Sequence, residues 1–157
     1  MIQQGQSLPQ SSLNELTADG MVTHPTHELF AGKKVVLFAV PGAFTPTCSE
    51  AHLPGYVVLA DQLKAKGVDM IACVAVNDAF VMQAWGEAQN ASEIRMLADG
   101  DASFTKALGL EMDTAGFGGI RSQRYAMIVE DGKVTTLNVE EPQSFEVSKA
   151  EAILDLL

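Results

Sequence analysis

Two runs constrain the fold more than any other feature: Lys34-Val35-Val36-Leu37-Phe38-Ala39-Val40 and Asp69-Met70-Ile71-Ala72-Cys73-Val74-Ala75-Val76. Both are short, and nearly every position is apolar, so each reads as a strand covered on both faces. Further extended runs fall at 94–97, 124–130 and 133–139, with helical patterns near 46–65, 78–89, 101–108 and 148–157. Strands alternating with helices predict an α/β sheet flanked by helices on both faces. Asp131-Gly132 between the last two runs predicts a hairpin, which makes the sheet mixed rather than wholly parallel. Pro54 and Gly55 lie inside the first helical pattern and predict a kink or interruption there, because proline has no N–H for an interior hydrogen bond.

A chain of 157 residues, 47% of them apolar, is long enough for one domain with a substantial core, here expected over residues 1–157. No linker, repeat period or low-complexity tract divides it. The formal charge of −10 disfavours nonspecific nucleic-acid binding, since phosphates attract basic surfaces. No run is long and apolar enough for a membrane span, and Met1-Ile2-Gln3-Gln4-Gly5-Gln6-Ser7 has neither the basic nor the apolar region of a secretion signal. Two cysteines do not make a disulfide scaffold, so a reducing cytoplasm is the expected location. The absence of clustered Cys/His spacing predicts no metal and no resident cofactor.

The first strand ends at Pro41-Gly42, and Thr45-Pro46 is a helix-start pair: threonine accepts from unpaired first-turn N–H groups, and proline has no N–H to leave unpaired. Cys48 therefore falls in a first helical turn. A free thiol titrates at about 8.5, and its nucleophilic form is the thiolate. A helix N-terminus stabilises an anion by about 0.3–2 kcal/mol, and one pKa unit is about 1.36 kcal/mol, so a second cationic donor is needed. Arg124 qualifies because it immediately precedes the apolar run Tyr125-Ala126-Met127-Ile128-Val129. Arg121, three residues earlier on an extended segment, should point the other way and reads as support or solvated charge.

His52 is four residues beyond Cys48 and could share its helical face, although a surface or partner-facing place fits the spacing equally well. Cys73 lies within a buried strand and reads as a structural thiol. Met112 and Phe117, the latter within Gly116-Phe117-Gly118-Gly119-Ile120, suggest an apolar rim, though the glycines suit a plain loop as well.

Pro41, Thr45 and Cys48, spaced Pro-x-x-x-Thr-x-x-Cys, together with Arg124, resemble the active-site signature of the peroxiredoxins. The string from Val40 to Cys48, then His52-Leu53-Pro54-Gly55-Tyr56, Leu63-Lys64-Ala65-Lys66-Gly67, Val76-Asn77-Asp78-Ala79-Phe80-Val81 with Trp85, Leu97-Ala98-Asp99 and Arg121-Ser122-Gln123-Arg124-Tyr125, is similar to the type II, or peroxiredoxin-five-like, subfamily. That resemblance implies a thioredoxin-like fold and a Cys48 that attacks a hydroperoxide and becomes a sulfenic acid. Thr45 would position the peroxide, Arg124 would stabilise charge on sulfur and oxygen, and Pro41 would limit water. It also implies a homodimer.

Some members of this subfamily carry another cysteine near the C-terminus that condenses with the sulfenic acid. The corresponding stretch here, Phe145-Glu146-Val147-Ser148-Lys149-Ala150, has Ser148 and no thiol. The resemblance therefore implies recycling by glutathione and glutaredoxin, with thioredoxin as the alternative; Cys73 could otherwise serve after local rearrangement. A disulfide reductase would ordinarily need Cys-x-x-Cys, which is absent, and no acyl-transfer motif surrounds His52. A redox sensor built on Cys48 would use a similar thiol and differ in turnover.

Overall fold

The computed structural model describes residues 1–157. A seven-stranded sheet forms the centre, ordered β2 (Gly20–Pro25), β1 (Ser12–Thr17), β5 (Arg95–Ala98), β4 (Met70–Ala75), β3 (Lys34–Ala39), β8 (Tyr125–Glu130) and β9 (Lys133–Val139). The inner strands β3, β4 and β5 run parallel; β8 and β9 on one side, and β1 and β2 on the other, are antiparallel to their neighbours. The predicted mixed sheet is thus present, and Asp131-Gly132 makes the expected tight hairpin, with both residues at positive φ.

Alternation along the central strands builds two cores. Val36 and Phe38 of β3, with Ile71 and Cys73 of β4, face α2 (Leu53–Ala65), α3 (Ala79–Ala88) and α5 (Ala150–Leu154). Val35, Leu37, Met70, Ala72 and Val74 face the other way, against residues of α1 (Thr26–Leu29) and α4 (Ser103–Leu108). Burial of both faces explains why β3 and β4 carry no polar alternation. Each large side chain such as Phe38, fully buried, contributes about 1.5–3 kcal/mol relative to an exposed position.

Three features depart from expectation. The hairpin β1–β2 and a second small hairpin, β6 (Glu111–Asp113) with β7 (Ile120–Ser122), are strands that the apolar runs did not reveal. The last helix is shorter than 148–157, covering Ala150–Leu154. The interruption expected at Pro54 and Gly55 lies just upstream: Cys48–His52 form a π-turn, closed by the Leu53 N–H donating to the Cys48 carbonyl, and α2 runs unbroken from there with Pro54 in its first turn. Proline has no N–H to donate to the preceding turn, and it directly follows the wider π-turn. No helix is long and apolar enough to cross a membrane.

Candidate active site

The sheet register brings the two sequence candidates together. Ala39 at the end of β3 pairs with Tyr125 at the start of β8, so the residue before β8 lies beside the segment that follows β3. Arg124 Nη2 consequently reaches the Sγ of Cys48 at 3.1 Å, and Nη1 of the same guanidinium donates to His52 Nδ1 at 2.8 Å. No carboxylate lies within 4.0 Å of the Arg124 guanidinium. Its positive charge is therefore directed at sulfur without a competing anion.

Cys48 is fully buried. It lies in the first helical turn as expected, with residues 46–47 helical before it. The Thr45 carbonyl accepts from the Ser49 N–H at 2.9 Å, but its hydroxyl donates to the Gly42 carbonyl at 2.7 Å instead of capping the helix. This corrects the expected side-chain cap: the hydroxyl is turned back into the 42–45 turn and receives no first-turn N–H. Phe44, between them, adopts a left-handed φ of 64°, unusual for a residue with a Cβ, and its ring is exposed. The Ala43 N–H donates to Asn77 Oδ1 at 3.0 Å, which ties this turn to the loop after β4.

His52 is buried in full, not at the surface. Arginine can only donate, so Nδ1 must be the acceptor; Nε2 faces the Ser148 carbonyl at 3.1 Å and must carry the proton. The ring is thereby held neutral, and burial, reinforced by the Arg124 charge, lowers its pKa to about 3. Tyr56 donates to the same carbonyl at 2.7 Å and stacks on Phe38 with centroids 4.0 Å apart. Phe145 packs edge-on against His52 at 5.1 Å, and the Arg124 guanidinium carbon lies 5.8 Å from the Phe145 ring centre.

A cavity of about 540 Å³ adjoins this group, lined among others by Pro41, Thr47, Met112, Arg124 and Phe145. Pro41 and Met112 thus border the site. Phe117 does not line it and is 86% exposed, so the rim expected from that residue is absent. Arg121 is not at the sulfur: half-buried, it donates to the Gly118 carbonyl at 2.9 Å and the Val76 carbonyl at 2.9 Å, cross-linking two loops as support. Cys73 is completely buried within β4, and burial, followed by the proximity of Cys48, pushes its thiol well up from the ordinary value.

Sequence reasoning did not find Glu140. Its Oε2 accepts from the Glu146 N–H at 2.8 Å, the Ser148 N–H at 2.8 Å and the Ser148 hydroxyl at 2.6 Å. These bonds hold its carboxyl below the usual range although burial opposes them. A single acidic residue in a loop carries no spacing signal, so nothing in the sequence set it apart.

The Redoxin family model matches residues 3–154. Among curated proteins, "Peroxiredoxin-2C" of Oryza sativa subsp. japonica is 50% identical, over 98% of this chain and 96% of its own length. Reduced Prx3 from Vibrio vulnificus, solved in complex with H2O2, is 80% identical with a TM-score of 0.99 over 99% of both chains. Peroxiredoxin 5 from Alvinella pompejana is 40% identical with a TM-score of 0.86, over 98% of this chain and 96% of that one.

Proposed function

This chain belongs to the peroxiredoxins of the redoxin family and is a thiol-dependent peroxidase; we propose that Cys48 is its peroxidatic thiol and that glutathione with glutaredoxin returns it to the reduced state. The observation that carries the reading is the 3.1 Å contact between Arg124 Nη2 and Cys48 Sγ.

In the first step the Cys48 thiolate attacks the terminal oxygen of a hydroperoxide. A sulfur–oxygen bond forms, the oxygen–oxygen bond breaks, and the departing oxygen takes a proton to leave as water or an alcohol. Sulfur is oxidised by two electrons and the peroxide reduced by two. Arg124 supplies positive charge where the oxygens gain negative charge, the kind of fixed electrostatic support that acts most strongly in a water-poor site. Thr45, whose hydroxyl is now turned to Gly42, would reorient to the peroxide, and Pro41 at the cavity edge would limit solvent.

In the second step a glutathione thiolate attacks the sulfenic sulfur: the sulfur–sulfur bond forms as the sulfur–oxygen bond breaks, the leaving hydroxide takes a proton from solvent to become water, and a mixed disulfide remains on Cys48. A second thiol, on glutathione or glutaredoxin, then takes the glutathionyl group and frees Cys48. Cys73 plays no part in this scheme: a thiol buried in a central strand is a poor nucleophile. Exposed rings of Phe44, Phe80 and Phe117 offer apolar surface for a homodimer, and a reducing cytoplasm suits the thiol consumption.

One experiment addresses site and reductant together. Reduced protein receives one equivalent of hydrogen peroxide, the sulfenic acid is trapped and mapped by mass, and glutathione with glutaredoxin or thioredoxin is added in separate arms. The label is expected on Cys48 and sustained turnover in the glutathione arm. A label confined to Cys73 would remove the proposed nucleophile, and turnover with thioredoxin alone would replace the proposed reductant. Oxidation without turnover in either arm would favour a sensor.

A further inference from the structure

We propose that Glu140 is a positioning residue for Cys48, acting through the Ser148 carbonyl and the His52 ring to hold the Arg124 guanidinium against the sulfur. The inference rests on the peroxidase reading for its kinetic consequence, but not for its geometry.

The contacts form a closed circuit. The Glu140 backbone N–H donates to the Arg124 carbonyl at 3.0 Å, continuing the β8–β9 ladder beyond the Tyr125–Val139 pair. From that anchored position its carboxylate gathers three donors from residues 146 and 148, which folds the 140–148 loop back on itself. The fold presents the Ser148 carbonyl to His52 Nε2–H and to the Tyr56 hydroxyl. His52 then offers Nδ1 to Arg124 Nη1, and Arg124 Nη2 meets Cys48. Every link is a hydrogen bond of 3.1 Å or less.

The chemistry at each link has a purpose. A guanidinium held at one nitrogen still rotates, whereas one held at two nitrogens has a fixed plane. A carboxylate at the His52 position would orient the guanidinium equally well but would cancel its charge. A neutral imidazole orients it and leaves the charge for sulfur, provided its proton stays on Nε2. The Ser148 carbonyl enforces that tautomer, much as outer partners fix the ring of a metal-bound histidine. The charged and hydrogen-bonding groups facing His52 are Arg124, the Ser148 carbonyl, Tyr56 and, through space, Glu140, with the Phe38 and Phe145 rings packed against it. Tyr56 holds the Ser148 carbonyl itself, while Glu140 fixes the Ser148 N–H and hydroxyl and so the loop that carries it.

The test compares wild type with Glu140→Ala, Glu140→Gln, His52→Phe and the double variant Glu140→Ala/His52→Phe. Two rates are read for Cys48, each mapped by mass: alkylation by iodoacetamide across pH, and oxidation by hydrogen peroxide at pH 7. Glu140→Ala and His52→Phe should each move the alkylation midpoint up by about one pH unit and slow oxidation about tenfold. Because Glu140 acts through His52, the double variant should be no slower than His52→Phe alone. Glu140→Gln keeps an oxygen for the same donors and should stay within about threefold of wild type.

An unchanged midpoint and rate in Glu140→Ala would overturn the proposal, as would effects that multiply in the double variant. If Glu140→Ala does not fold, the comparison is made with Glu140→Gln on wild-type and His52→Phe backgrounds, where its smaller loss must vanish in the latter. A midpoint shift in a protein whose wild type consumes no peroxide would support the circuit and refute the peroxidase reading, so the two failures are distinct.

Discussion

Arg124 Nη2 donates to Cys48 Sγ across 3.1 Å, although 76 positions separate the two residues in the chain. The pairing of β3 with β8 is what closes that gap. In the proposed cycle a cation at this distance would support both a thiolate and the oxygens that gain charge as a peroxide bond breaks.

Arg124→Lys should therefore be far from conservative. A lysine ammonium is a single point of charge and cannot meet Sγ and His52 Nδ1 together in the planar fork seen here. Stopped-flow measurement of peroxide reduction should show a loss of about 100-fold or more. A rate within twofold of wild type would mean that charge near the sulfur suffices without the fork.

Thr45 should separate its hydroxyl from its methyl group. Thr45→Ser keeps the donor that now reaches the Gly42 carbonyl and should retain most activity, whereas Thr45→Val leaves that carbonyl without its partner. The valine variant should lose about 10- to 100-fold in second-order rate with hydrogen peroxide, as expected for 1–3 kcal/mol from a removed donor. Equal rates for serine and valine would exclude a role for the hydroxyl.

Cys73→Ser should leave turnover with glutathione and glutaredoxin in place while reducing stability. The thiol it replaces is wholly enclosed in β4, and a hydroxyl there has no evident acceptor, at a cost of about 1–3 kcal/mol. Denaturant melts measure the second effect and steady-state assays the first. Abolished turnover in a folded Cys73→Ser protein would show that the one-cysteine cycle is wrong.

His52 should leave a signature in stability against pH. Its folded pKa is lowered to about 3 from an ordinary 6.5, so between those values the unfolded chain binds a proton that the folded one does not. Stability conferred by the neutral ring is complete above pH 6.5 and declines as pH falls toward 3, with a slope of up to about 1.4 kcal/mol per unit. Glu140 and Glu15, both with lowered carboxyl pKa values, add a loss in the same direction only below their ordinary value of 4.5. Urea unfolding from pH 7 to 5 isolates the histidine, and His52→Phe should flatten that part of the curve.

The sequence revealed those parts of the site whose chemistry is local. Cys48 was visible because a buried strand, a Pro-Gly break and a helix start precede it, and Arg124 because it opens another apolar run. His52 was ambiguous because helical spacing gives a shared face but not what covers it; here Phe145 and the Ser148 carbonyl do. Glu140 was invisible because its role depends on register between β8 and β9 and on a loop closing back. The β1–β2 hairpin escaped for another reason. At the sheet margin Ser12–Thr17 buries mainly alternate positions and Gly20–Pro25 none, so neither shows the dense apolar run of an inner strand.

Ser49, the immediate neighbour of Cys48, accepts a hydrogen bond from the Trp85 indole at 2.9 Å, and Trp85 is both buried and the sole tryptophan of the chain. The molecule thus contains a native optical gauge wired to its reacting turn. A shift of that turn as sulfur gained oxygen or a glutathionyl group in the proposed cycle would alter the indole's surroundings. Each stage of the cycle can accordingly be followed by emission in unlabelled protein, with Trp85→Phe as the dark control.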